Sequence, residues 1–250
     1  MKASKVILLC SLFLVSCSSY GKKQPDAKTN NIGFALVELF TSEGCSSCPA
    51  AEKALDEIHG QYKQNVYVLE FHVDYWNYLG WKDEFSSNEY TLRQQQYAKH
   101  FQLNSTYTPQ AIVNGEHELV GSDKDKLHSL INDDLRQKPA CIIKLSAKAD
   151  NDAVSVNYTI INPDNEMLNI ALVQKNAETD VRRGENSGRK LKHINIVRSL
   201  QTVDNVHTQG SVKMMMPQGL STSDFVVIAF AQQKGTWKVD GAVEAGIIVQ

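Results

Sequence analysis

Residues 34–73, FALVELFTSEGCSSCPAAEKALDEIHGQYKQNVYVLEFHV, contain the change of pattern that decides the architecture. Phe34 to Phe40 is a short apolar, branched run of the kind found in strands buried on both faces. A turn-rich Thr-Ser-Glu-Gly follows, then Cys45-Ser46-Ser47-Cys48 and Pro49. Beyond the proline, Ala51, Leu55, Ile58 and Tyr62 recur at helical spacing and mark one apolar face. Val66 to Val73 is a second buried-type strand. Strand, helix, strand in that order is most simply joined as a right-handed parallel crossover.

That placement puts the two cysteines at a helix N-terminus, where free backbone N–H groups and the helix dipole stabilise an anion. The first thiol can then ionise near neutral pH and attack a disulfide, and the two-residue spacing lets Cys48 reach back to resolve the product. The same residues are compatible with a permanent local disulfide, which would close a short loop and stabilise little, or with a zinc site. Neither a second CxxC nor paired histidines stand nearby in sequence to complete the latter.

Downstream, Ser86 with Glu89 is a capping-box pattern opening a helix to about Phe101. Ala111–Val113 and Glu116–Val120, flanking Asn114-Gly115, predict a hairpin. Ser122 is a candidate cap for a last helix with Leu127, Leu130, Ile131 and Leu135 as its stripe. After Pro139 the texture changes to short apolar runs at 141–145, 154–161, 168–173, 191–197, 225–230 and 246–249, the pattern of an antiparallel β-sandwich. The predicted fold class is therefore α/β, with one domain at 32–138 and a β-sandwich at 139–250.

At the other end, Lys2 and Lys5 precede an apolar stretch from Val6 to Val15, the layout of a secretory signal and too short to span a bilayer. Leu14-Val15-Ser16-Cys17 resembles the lipobox of bacterial lipoproteins, which implies cleavage after residue 16 and lipidation of Cys17. Ser18 and Ser19 lack the aspartate that retains such proteins at the inner membrane, so the resemblance implies a periplasm-facing lipoprotein, outer membrane favoured. Residues 17–31 read as a polar tether. With 26 basic and 28 acidic residues there is no general attraction to phosphate backbones, and nucleic acid is not an expected partner.

The segments VELFTSEGCSSCPAAEKAL (37–55), FHVDYWNYLGWKDEFSS (71–87), YTPQAIVNG (107–115) and RRGENSGRKLKHINIVRSL (182–200) resemble the thioredoxin-like superfamily, and more closely an exported bacterial family labelled domain of unknown function 1223. The resemblance implies a thioredoxin-like first domain with Cys45 as nucleophile, Cys48 as resolver and Pro109 as a cis proline facing them. Thr108 would offer its main chain to a bound substrate. Thioredoxins often bury an acid six residues before the first cysteine; here that position is Leu39, with Glu38 aimed at the other face, so Glu43 and Asp74 become the candidate proton relays.

His72, Asp74 and Trp76, at the C-terminal end of the second strand, are expected beside Cys45 as substrate-binding residues. Arg182 and Arg183, with Arg189 and Lys190, are expected to meet Asp74, Glu43 or an anionic substrate across the domain interface. Cys141 reads as a buried free thiol. The function expected is thiol-disulfide exchange on protein or small-molecule disulfides, without cofactor or metal. A copper chaperone using Cys45, Cys48 and His72, and a non-catalytic envelope binding protein, remain as alternatives.

Overall fold

The computed structural model describes residues 33–62, 64–204 and 208–249; the expected signal, the tether and Cys17 lie outside them. Strand β1 (Ala35–Thr41) is buried along its whole length. Helix α1 (Cys48–Gln61) follows, then β2 (Val66–His72), which pairs with β1 in parallel from Ala35↔Val66 to Thr41↔His72. The two faces of this pair separate as the alternation requires. Val37, Leu39 and Val68 pack on Ala51, Leu55 and Ile58 of α1, whereas Leu36, Phe40, Leu69 and Phe71 face the other way.

That second face is covered by α2 (Asn88–His100) through Tyr90 and Tyr97. Its cap is Ser87, accepting from the Glu89 N–H, not the expected Ser86. The Ser86 hydroxyl is already engaged, accepting from Asn77 Nδ2 and donating to the Asp83 carbonyl. The hairpin forms as β3 (Gln110–Val113) and β4 (His117–Val120), with Asn114 and Gly115 at φ 47° and 70° and β3 antiparallel to β1. A side chain at Gly115 would also strike the Trp237 carbonyl. Helix α3 (Lys124–Asp134) is capped by Asp123, accepting from Lys126 N–H, in place of Ser122.

The remaining strands are β5 (Ile142–Asp150), β6 (Ala153–Ile161), β7 (Glu166–Asp180), β8 (Lys190–Val203), β9 (Gln209–Met215), β10 (Phe225–Gln233) and β11 (Val239–Ile248). They do not make a sheet of their own. A single eleven-stranded mixed sheet runs β4-β3-β1-β2-β8-β7-β10-β11-β5-β6-β9, joined in its middle where β2 meets β8 in parallel at Glu70↔Ile196. Val154 and Val156 of β6 share a core with Leu172 of β7 and Val227 of β10. Strands so far apart in the order touch only because the sheet doubles over. Ala171, Val173, Val226, Ile228 and Phe230 join the core under α2, so the apolar interior is continuous across the residue-139 region. No helix among the described residues is long and apolar enough to cross a membrane.

Candidate functional site

Strand β1 ends at Thr41, and the chain turns through Ser42–Gly44, with Cys45 N–H donating to the Ser42 carbonyl. Cys48 opens α1 and Pro49 occupies its first turn, where a missing N–H costs nothing. Cys45 and Cys48 are joined as a disulfide with Cα atoms 5.4 Å apart. Both are buried while Ser46 and Ser47 are exposed, and Ser47 Oγ lies 3.4 Å from the Cys45 sulfur.

Around this pair the structure gathers several of the predicted residues. The backbone at Gly44 lies so close to Trp76 that a Cβ there would sit 2.9 Å from the Trp76 Cβ. Trp76 Nε1 donates to Thr108 Oγ1 at 2.8 Å, and the Thr108–Pro109 bond is cis. Trp76, Thr108 and Pro109 therefore form one connected edge beside the cysteine loop. Asp74 is turned elsewhere: its N–H and carboxylate both bond the Thr91 hydroxyl of α2. Glu38 is bound by Arg93 through two contacts of 2.5 and 2.9 Å on the α2 face, which removes it from the sulfurs. His72 is fully buried, so the expected contact with a substrate gives way to a place inside the protein.

The turn between β7 and β8 lies over the cysteine loop, but not through its cations. Asn186, fully buried, donates from Nδ2 to the carbonyls of Glu43 (2.8 Å) and Cys45 (2.9 Å). Arg189 holds the other end of that amide at 2.8 Å. Glu185 accepts from Ser46 N–H at 3.0 Å, and the Ser46 side chain together with that N–H lowers its carboxyl below the usual range. Arg182 and Arg183 are exposed. A neutral amide in a glycine-flanked turn reads as a turn former, so its signal was masked by the charges around it.

Behind the loop lies a cluster that spacing along the chain did not reveal. Glu43, Glu52, Glu70, His72, Asp83 and His193 are all almost wholly buried. His72 Nδ1 is 2.7 Å from Asp83 Oδ2, and its Nε2 faces Glu70 Oε2 at 3.7 Å. His193 Nε2 faces Glu43 Oε1 at 3.3 Å, and its Nδ1 lies 3.4 Å from Glu52 Oε2 and 3.9 Å from Glu70 Oε2. Trp81 Nε1 donates to the second Glu43 oxygen at 2.6 Å, and Thr41 Oγ1 to the second Glu52 oxygen at 2.5 Å.

Burial disfavours charge on both rings, yet the carboxylates prevail. Asp83 and Glu70 hold His72 well above its ordinary value, and Glu43 and Glu52 bring His193 to about 9. Burial pushes Glu70 up to about 7. Among the described residues, Glu70, His72 and His193 are the only three such donors within 4.8 Å of one another, and neither sulfur joins them. Cys141 is a buried free thiol whose pKa burial raises to about 12.

The family model for a protein of unknown function, DUF1223, matches residues 36–232. The crystal structure of protein AGR_C_4864 from Agrobacterium tumefaciens is 30% identical with a TM-score of 0.63, covering 84% of this chain and 92% of that one. A domain of the outer membrane lipoprotein Omp28 from Porphyromonas gingivalis is 16% identical with a TM-score of 0.27, covering 45% of this chain and 91% of that one. No curated protein matches the sequence.

Proposed function

We propose that this chain, which belongs to the DUF1223 family of proteins of unknown function, is an exported thiol-disulfide oxidoreductase with a thioredoxin-like first half. The observation that carries the reading is the Cys45–Cys48 disulfide at the start of α1, directly after a buried parallel strand. The cis Thr108–Pro109 bond, tied through Trp76 to Gly44, and the β3–β4 hairpin that follows it support the same reading.

In the reduced protein the Cys45 thiolate attacks one sulfur of a substrate disulfide. The substrate S–S bond breaks, its leaving thiolate takes up a proton, and a mixed disulfide remains. Cys48, losing its proton, attacks the Cys45 sulfur; the second substrate thiol departs and the Cys45–Cys48 bond forms. Two electrons pass to the substrate, and oxidation is the same sequence reversed. Ser46-Ser47 lacks the histidine that precedes the second cysteine in strongly oxidising relatives, which favours reductase or isomerase action.

On this reading Trp76 and Thr108 would meet a substrate; Arg182 and Arg183, both exposed, would be open to one approaching over the β7–β8 turn. A lipid on Cys17 would hold the site to the envelope membrane, outer membrane favoured. The test is Cys48→Ser expressed in cells: mixed disulfides at Cys45 are expected, absent from the Cys45→Ser, Cys48→Ser double variant. Failure to trap any partner, together with a Cys45 in the Cys48→Ser variant that alkylates no faster than a free thiol, would make the pair structural.

A further inference from the structure

We propose that His72 Nε2, His193 Nδ1 and Glu70 Oε2, completed by Glu52 Oε2, bind one divalent first-row transition metal ion, independently of any redox role for the cysteines. Three observations carry this.

First, two ring nitrogens converge on one carboxylate oxygen without being consumed, while that oxygen, Glu70 Oε2, accepts only from Ile194 N–H. His72 Nε2 and His193 Nδ1, both fully buried, lack a hydrogen-bond partner, and each faces the same Glu70 oxygen. An unpartnered buried polar atom is costly, and several pointing at one spot are costlier.

Second, each imidazole has a carboxylate behind it, hydrogen-bonded for His72 and at an ion-pair distance of 3.3 Å for His193. Asp83 takes His72 Nδ1 and Glu43 faces His193 Nε2, leaving the opposite nitrogen of each ring free to ligate. That is how carboxylates orient metal-binding histidines. Asp83 is itself fixed by the N–H groups of Glu43 and Phe85, and Glu43 by Trp81.

Third, the charges do not balance. Four carboxylates surround two imidazoles, so even with both rings protonated the cluster is anionic, and a divalent cation would neutralise it.

The neighbouring donor pairs lie 3.4, 3.7 and 3.9 Å apart. Ligands at about 2.0–2.1 Å from a tetrahedral ion sit about 3.4 Å from one another, so these pairs stand near ligand spacing, while Glu52, which approaches only His193 and stands outside the group of three, would have to turn inward to complete the site. Imidazole nitrogen with carboxylate oxygen suits zinc and its neighbours rather than Cu(I), which prefers sulfur, or Ca²⁺, which prefers oxygen alone. All four ligands come from the protein and none is exposed, the arrangement of a structural ion. Bound there, it would clamp α1 through Glu52, β2 through Glu70 and His72, and β8 through His193. Glu52 also lines a groove of about 350 Å³ between α1 and β8, which offers a route in.

The full chain, kept oxidised at Cys45–Cys48 so that thiolates cannot compete, is stripped with chelator and titrated with Zn²⁺. One Zn²⁺ per chain is expected, with a rise in the thermal midpoint that chelator reverses. Co²⁺ in its place should give visible ligand-field bands without thiolate charge-transfer absorption. Glu70→Gln and His193→Gln should weaken binding by a hundredfold or more, and Asp83→Asn by about 10–100-fold. The Cys45→Ser, Cys48→Ser double variant should bind as the parent does. No stoichiometric uptake overturns the proposal, as does unchanged affinity in folded Glu70→Gln and His193→Gln, or loss of binding in the cysteine variant. If those two substitutions prevent folding, the Co²⁺ spectrum of the parent chain decides: sulfur bands or no bands reject the site.

Discussion

The β1–β2 pair carries a buried charged cluster on each face, and the two are built differently. On the α2 face, Glu38 meets Arg93 through both carboxylate oxygens, and Tyr97 and Gln232 take up further valences of the pair. The guanidinium also stacks against Phe71, Tyr97, Phe230 and Trp237. On the α1 face, Glu70, His72 and His193 are as deeply buried, yet His72 Nε2, both nitrogens of His193 and one oxygen each of Glu43 and Glu70 make no hydrogen bond. Both clusters carry the desolvation cost of buried ions. Only the first closes its own hydrogen bonds. The first is therefore an internal strut of the fold, and the second has the form of a binding site.

The largest effect that follows is at the strut. Arg93→Met leaves Glu38 buried opposite an apolar side chain, which should lower unfolding free energy by about 3–5 kcal/mol. Adding Glu38→Gln to that variant should recover part of the loss. Urea unfolding measures both, and a loss below about 1 kcal/mol in the single variant would mean that the two faces do not differ as described.

Next comes the link between the halves. Asn186→Ala strips the buried carbonyls of Glu43 and Cys45 of their shared donor, at an expected cost of about 1–3 kcal/mol. It should also speed alkylation of reduced Cys45, since the turn no longer holds the loop down. An unchanged alkylation rate in a destabilised variant would confine Asn186 to a structural role.

The site face should be the more tolerant in the metal-free chain. Glu70→Gln keeps the carbonyl-type oxygen that accepts from Ile194 N–H and replaces one that has no hydrogen-bond partner, so stability should move by no more than about 1 kcal/mol. With Zn²⁺ present the same variant should lose the stabilisation that the parent gains. A metal-free loss as large as that of Arg93→Met would erase the contrast between the faces.

These two faces were also unequally legible in the sequence. The Cys45–Cys48 pair, β1-α1-β2 and the hairpin all rest on local period or spacing, so they could be read directly. Glu38 could be assigned to the face opposite Leu39 by alternation alone. The α1-side cluster could not be assembled in that way, because His72 and His193 stand more than a hundred residues apart. They meet only through β2 running beside β8, a junction recorded by one parallel pair, Glu70↔Ile196. Nothing local announces that β8 will take that edge. Strand β9 was missed for a different reason: Gln209–Met215 is largely exposed, with only Met214 buried, so it carries no apolar run.

The smallest effect should come from the residues that sequence made most conspicuous. Arg182 and Arg183 stand out in Arg-Arg-Gly-Glu-Asn-Ser-Gly-Arg-Lys, where four cations in one short turn suggested a charged contact. The turn does reach the cysteine loop, but through Asn186 and Glu185, while both arginine side chains are exposed. Exposed charges contribute little to stability, so Arg182→Ala with Arg183→Ala should change unfolding free energy by no more than about 0.5 kcal/mol. Turnover of a small generic disulfide should also be unaffected, since such a substrate needs neither cation. A protein or anionic substrate approaching over the same turn would still meet them, and selective loss of turnover there would give the arginines a recognition role. Loss of stability comparable to that of Asn186→Ala would instead show that the turn is held by its charges, contrary to the two amide bonds that now account for it.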